Sequence, residues 1–186
     1  MRKFIATTLT EYLNEQLLIN KDDDVEVYMV GDTNREMFVF IVVNDEAIGG
    51  QYSGISPIKN ETQFASMKVG ISDEYKGKGY GTLLYLTTLS LLENKGLSPH
   101  RKEKSTRPDA IKVWSKLTDN KFIKRIELDK KLYDNNEILD SKYIITDKSI
   151  IDKYKNVKKI SNDAFDTTNE YSKQAWNIVN KHMDNH

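Results

Sequence analysis

The chain has 186 residues, room for one domain with a substantial core. Its 28 basic and 28 acidic side chains cancel, so no global field draws it to nucleic acid or to an anionic membrane. It has no cysteine, which excludes disulfides, thiolate metal sites and a cysteine nucleophile.

Phe4, Ile5, Leu9, Tyr12, Leu13 and Leu17 recur at helical spacing and predict a first helix over about 4–18. The start has a basic head, but Thr, Glu and Asn interrupt its apolar run. It therefore reads as an amphipathic helix rather than a leader, and the expected location is the cytoplasm. Residues 25–30 and 37–44, joined by Gly-Asp-Thr-Asn, predict strand, turn and strand. The longest wholly apolar run, Met37 to Val43, is too short to span a bilayer. A short strand within 45–55 contains Gly49 and Gly50, which predict a turn or bulge. Residues 63–71 predict another strand, which ends where a glycine-rich segment begins.

A helix from Thr82 to Lys95 follows, closed by Gly96. Leu83, Leu84, Leu86, Leu89, Leu91 and Leu92 are too many for one stripe, so most of its girth should be buried. The next helix runs from about Pro108 to Leu117, with proline in its first turn. Residues 121–128 and 142–147 predict two more strands. Tyr171, Ala175, Trp176, Val179 and Met183 have helical spacing and predict a docked helix from about Asp166. The whole reads as a single mixed α/β domain over 1–186, with a core of about 25–145 and a helical extension of about 150–186.

The stretch that carries chemistry is Tyr75 to Leu86, "YKGKGYGTLLYL". Three of the chain's nine glycines, Gly77, Gly79 and Gly81, fall within five residues, beside Lys76 and Lys78. The first amides of a helix have no intrahelical acceptor, and the helix dipole adds partial positive charge there. Residues 76–82 bring no carboxylate to that end and add two cations, an arrangement that suits a bound anion. The alternative is a tight surface turn with its lysines in solvent. The P-loop spacing is absent, and the dinucleotide pattern G-x-G-x-x-G is not completed. Lys76, Gly79 and Gly81 do give basic-x-x-Gly-x-Gly.

That pattern, in "VGISDEYKGKGYGTLLYLTTLSLL", resembles the acetyl-CoA-binding motif of the GNAT N-acetyltransferase superfamily. A second segment agrees: "AIKVWSKLTDNKF" is similar to a later helix of that family through Ala110, Ile111, Val113, Lys116 and Leu117. The likeness covers about residues 37–128. The segment from "GLSPHR" to "DAIKVW" also resembles versions found in bacteriophage-encoded members. The resemblance implies a mixed, mostly antiparallel sheet splayed in the middle and flanked by helices. It further implies acetyl-CoA as co-substrate, held by backbone amides of Lys76, Gly77, Lys78, Gly79, Tyr80, Gly81 and Thr82. A backbone amide of the preceding strand, near Val69, Gly70 and Ile71, would polarise the thioester carbonyl. The acetyl group would pass by direct attack to an amine, on a small molecule or a protein.

Three departures bear on catalysis. Trp114 stands where many members place the tyrosine that protonates the departing thiolate, and an indole N–H is no acid at neutral pH. It reads as a wall of the pantetheine channel or as core. The first two strands are joined by a four-residue turn rather than by helices that cover the acceptor. "TDNKF" replaces the family's Gly-Phe ending. Glu61, Glu74 and His100 are the candidate bases, while Tyr80 and Tyr85 read as packing residues. His182 and His186 have helical spacing but no accompanying carboxylate set, so no metal is expected. A non-catalytic protein of the same fold, binding CoA or a protein partner, is the alternative function.

Overall fold

The computed structural model describes residues 24–101, 108–129, 131–133 and 136–184. The helix expected over 4–18 and residue His186 lie outside them, as does the side chain of His182.

Strands β1 (Val25–Gly31), β2 (Glu36–Val43), β3 (Glu46–Ile55) and β4 (Phe64–Ile71) form an antiparallel meander. The composition of β2 follows from its position. Met37, Val39, Ile41 and Val43 enter one core, and Phe38, Phe40 and Val42 enter another on the opposite face. An apolar run without alternation is what a strand covered on both faces requires. Asn44 and Asp45, with φ of 49° and 65°, make the tight turn into β3. Two successive positive φ values give the turn whose twist matches the strands it joins.

The bulge expected at Gly49 and Gly50 is present. Ile41 faces Gly49 while Val42 faces Ala47, so Ile48 is the extra residue. A Cβ on Gly49 would lie 2.2 Å from the carbonyl oxygen of Gly70, which is why glycine stands there. A second bulge lies in β4, where Tyr52 faces Lys68 and Ser53 faces Ser66, leaving Met67 over.

Helix α1 (Tyr80–Leu92) leads back to β5 (Leu97–Ser98), which runs parallel to β4 for only two pairs, Phe64 with Leu97 and Ala65 with Ser98. Helix α2 (Pro108–Thr118), β6 (Ile123–Glu127) and β7 (Ser141–Ile145) follow, and β7 lies between β5 and β6. The chain ends with α3 (Lys148–Tyr154), β8 (Lys158–Ser161) and α4 (Glu170–Asp184). The eight strands make one mixed sheet in the order β6-β7-β5-β4-β3-β2-β1-β8.

The C-terminal part is thus not helical throughout, because β8 joins the sheet parallel to β1. Helix α1 stops at Leu92, and a 3-10 turn over Glu93–Lys95 carries the chain to Gly96. Leu84, Leu86, Leu89 and Leu92 are all buried against the sheet and its neighbours, as their number required. Helix α4 covers the other face through Ala175, Trp176 and Val179, with Trp176 stacked on Phe38 at 4.1 Å. No helix among the described residues is long and apolar enough to cross a membrane.

Candidate functional site

Beyond Ala65, β4 keeps its pairing with β3, and its parallel pairing with β5 has ended. Alongside it lies a cavity of about 430 Å³. Val69, Gly70 and Ile71 of β4 form one wall, Tyr85 of α1 a second, and Ala110 and Val113 of α2 a third. Lys76, Lys112, Lys116 and Asp109 contribute its charged groups. Asp109 is 90% exposed and sits 3.8 Å from Lys112, so both belong to the rim.

The glycine-rich loop closes the cavity at one end. Its residues Gly77, Gly79, Gly81 and Thr82 all line the space. Gly77 and Gly79 have φ of 77° and 94°, a region that residues with a Cβ enter only at a cost. Gly79 is also the N-cap of α1, a residue with no side chain to cap the helix, and the first turn holds no carboxylate. The first intrahelical bond is donated by the Leu83 amide to the Gly79 carbonyl, at 3.0 Å. The amides of Gly81 and Thr82 precede it, at the positive end of the helix dipole. Lys76 pairs with Asp73 at 2.6 Å, and the Lys78 ammonium lies 5.1 Å from the centre of the Tyr75 ring.

The side chains of the other residues named from the sequence do not line this cavity. Tyr80 is buried, edge-on to Tyr75 at 5.7 Å, and Lys78 points over that same ring. Of the two readings of Trp114, channel wall and core, its packing fits the second. It is 1% exposed and packed between Tyr85 and Tyr143, each 4.9 Å away, so it belongs to the core. Glu74 is exposed on the 3-10 turn Asp73–Tyr75. His100 is half-buried, and its carbonyl accepts the Tyr133 hydroxyl at 2.8 Å.

Glu61 is committed elsewhere. Its Oε1 meets Arg101 Nη2 at 2.8 Å, and its Oε2 accepts from Gln63 Nε2 and the Ser56 hydroxyl. Burial pushes its carboxyl up, but the hydrogen bonds from Arg101, Ser56 and Gln63 outweigh that and hold it low. A carboxylate so stabilised is a poor base. Asp140 flanks the same guanidinium at 2.8 Å and also accepts the amides of Leu132 and Tyr133. Arg101, wholly buried, thus ties the β3–β4 loop to the segment after β5 and to the β6–β7 connection.

Comparison with protein-family models, curated proteins and solved structures finds no match. The site therefore has to be read from its own geometry. Several lining residues escaped sequence reasoning, although the signal was there. Tyr85 follows Thr82 by three positions and shares its helical face, while Asp109, Lys112, Val113 and Lys116 fall on one face of α2.

Proposed function

We propose that the cavity binds the pantetheine and pyrophosphate portions of acetyl-CoA, and that the protein is a GNAT-type N-acetyltransferase acting on an amine. One observation carries this reading. A single cavity joins β4 at Val69 and Gly70, beyond its last pair with β5, to a helix N-terminus whose N-cap is a glycine. An amide-bearing thioester arm suits the first, and a pyrophosphate suits the second. The two-pair contact of β4 with β5 supports the same reading, because the resemblance implies a splayed sheet. Lys76, Lys112 and Lys116 add charge for phosphate groups at the rim. The bulge at Met67 re-aims the strand just before the amides that would face the thioester carbonyl.

A second reading, CoA binding without catalysis, draws on another observation. None of Glu61, Glu74 and His100 lines the cavity. The acetyltransferase reading then needs an acceptor that arrives neutral or loses its proton to water.

Acetyl-CoA at 100 times its dissociation constant is expected to stabilise the protein by about 2.7 kcal/mol. For a chain of this size that raises the Tm by roughly 5–10 °C. A melting curve unmoved by millimolar acetyl-CoA, with no heat in calorimetry, would refute both readings. Binding without acetylation of any member of an amine panel would favour the second.

A further inference from the structure

We infer that a second hollow, at the end of the sheet away from the glycine-rich loop, binds a small aliphatic dicarboxylate. The inference does not depend on the proposed function, because the two cavities share no lining residue.

The hollow has a volume of about 410 Å³. Strand β4 begins beside it at Phe64 and reaches the first cavity at Ile71. Helix α1 runs the other way, from the glycine-rich loop to the 3-10 turn that supplies Asn94 and Lys95. Asn34 comes from the β1–β2 turn, Ile55 from the end of β3, Thr62 from the loop after it, and Lys142 from β7.

No carboxylate lines this space, and two ammonium groups do. Lys95 donates to the Thr33 carbonyl and, at 3.0 Å, to Asn34 Oδ1, which occupies two of its three hydrogens and offsets none of its charge. An ammonium can only donate, so Asn34 turns its amide oxygen to Lys95 and keeps its NH₂ for another acceptor. Among the described residues neither Lys95 nor Lys142 is paired with a carboxylate, in contrast to Lys76, Lys112 and Lys158. The acids closest to these residues in sequence are engaged elsewhere. Asp32 accepts the Asn34 backbone amide at 2.6 Å, and Glu61 and Asp140 hold Arg101. Glu93 acts on Lys155, which is paired first with Asp152. Two uncompensated cations around one concave space suit a dianion.

The carbon body follows from Ile55, whose side chain is 45% exposed at the hollow. The Phe64 ring, 5.9 Å from the Lys95 ammonium, continues the apolar surface. A phosphate would leave that surface unused, whereas a short methylene chain covers it. The backbone holds the cationic turn in place at a cost. Glu93, with φ of 48° and ψ of −121°, is in a region that residues with a Cβ rarely enter, and it leads the chain from α1 into Asn94 and Lys95. Strain of that kind gathers where a ligand is clamped.

The test is a titration of the full chain with glutarate at low ionic strength, read from the Ile55 methyl signals of ¹³C-labelled protein and assigned with Ile55→Val. Glutarate is expected to move those signals and to saturate in the millimolar range. Butyrate keeps the carbon chain and loses one charge, and is expected to bind at least about tenfold more weakly. The same loss is expected for glutarate with Lys142→Gln, a variant that should melt as the wild type does, since it breaks no ion pair among the described residues. Inorganic phosphate at equal concentration should leave glutarate bound. Equal binding of butyrate and glutarate, or wild-type affinity in Lys142→Gln, overturns the dianion assignment. Displacement by phosphate overturns the carbon body, and the absence of a saturable shift overturns the site as a whole. A glutamate-rich peptide that binds far more tightly than glutarate would make the hollow a protein interface and overturn the small-molecule assignment.

Discussion

Replacing Gly81 by alanine is expected to stabilise the free protein and, on the proposed function, to weaken CoA binding. Gly81 is the second residue of α1, outside the positive-φ region, and an added Cβ would meet nothing within 4 Å. Folding therefore does not require glycine there. Alanine in a helix is better than glycine by up to about 1 kcal/mol, or roughly 2–4 °C in Tm. The space that the methyl enters is the cavity itself. Gly81→Val fills more of it and is expected to weaken CoA binding at least about a hundredfold, roughly 2.7 kcal/mol. Gly77→Ala is the control: its Cβ also meets open space, but its φ of 77° makes alanine strained. That variant should lose about 1–2 kcal/mol. Melting and calorimetry on the three variants separate the roles. If Gly81→Val binds CoA as the wild type does, the phosphates do not sit at this helix end.

The largest loss of stability is expected from Arg101→Ala. The guanidinium lies between Glu61 and Asp140; Arg101 and Asp140 are buried, and the Glu61 side chain is 9% exposed. Burial disfavours the Arg101 charge, and the two carboxylates more than reverse that, raising its proton affinity. Removing it strands the buried carboxylate of Asp140 and the largely buried one of Glu61, and breaking a buried pair typically costs about 3–5 kcal/mol. The sign of the pH dependence follows from the carboxyls. In Asp140 burial pushes the pKa up, but the Leu132 amide, Arg101 and the Tyr133 amide bring it below the usual range. Glu61 is depressed likewise. A depressed carboxyl contributes stability that is present above its unfolded pKa, about 3.9 for Asp and 4.3 for Glu, and is lost as pH falls through its folded value. In Arg101→Ala both carboxyls lose the part of that depression that the guanidinium supplies, so the loss is greatest where they are ionised. Urea unfolding should show the widest gap between variant and wild type at pH 7, narrowing below about pH 4. A gap independent of pH would mean that the loss is one of packing.

The sheet and its helices were legible because their signals are local. The unbroken apolar run in β2, the leucines of α1 and the spacing of Trp176 and Val179 each state how many faces are covered. The loop was legible for a similar reason, since positive φ at Gly77 and Gly79 is a backbone demand that composition reveals. What failed was the assignment of side chains to roles. Glu61 looks like a base until Arg101, forty positions away, is placed against it. Trp114 reads from the sequence as either channel wall or core, and only the packed rings of Tyr85 and Tyr143 show which way it turns. Strand β8 has four residues, too few for alternation to emerge. Helix α3 could have been found from Asp147, whose carboxylate accepts the Ser149 amide at 2.8 Å as an N-cap.

The pairing of β8 with β1 has a consequence for how the molecule is made. Tyr28 lies opposite Lys158, so the first of the described strands waits for the last to emerge during synthesis. Until then β1 presents a row of unpaired amides and carbonyls, and Phe38 and Phe40 lack the α4 residues that cover them. Shortening the chain before Lys158 should therefore yield a protein that self-associates, detectable by light scattering, rather than a smaller soluble domain. Monodisperse truncated protein would show that the meander protects itself. Once closed, the sheet ends at one margin in four residues bearing Lys158 and Lys159, and at the other in five residues bearing Lys124 and Arg125. Short and cationic at both margins, it offers little for another copy to extend.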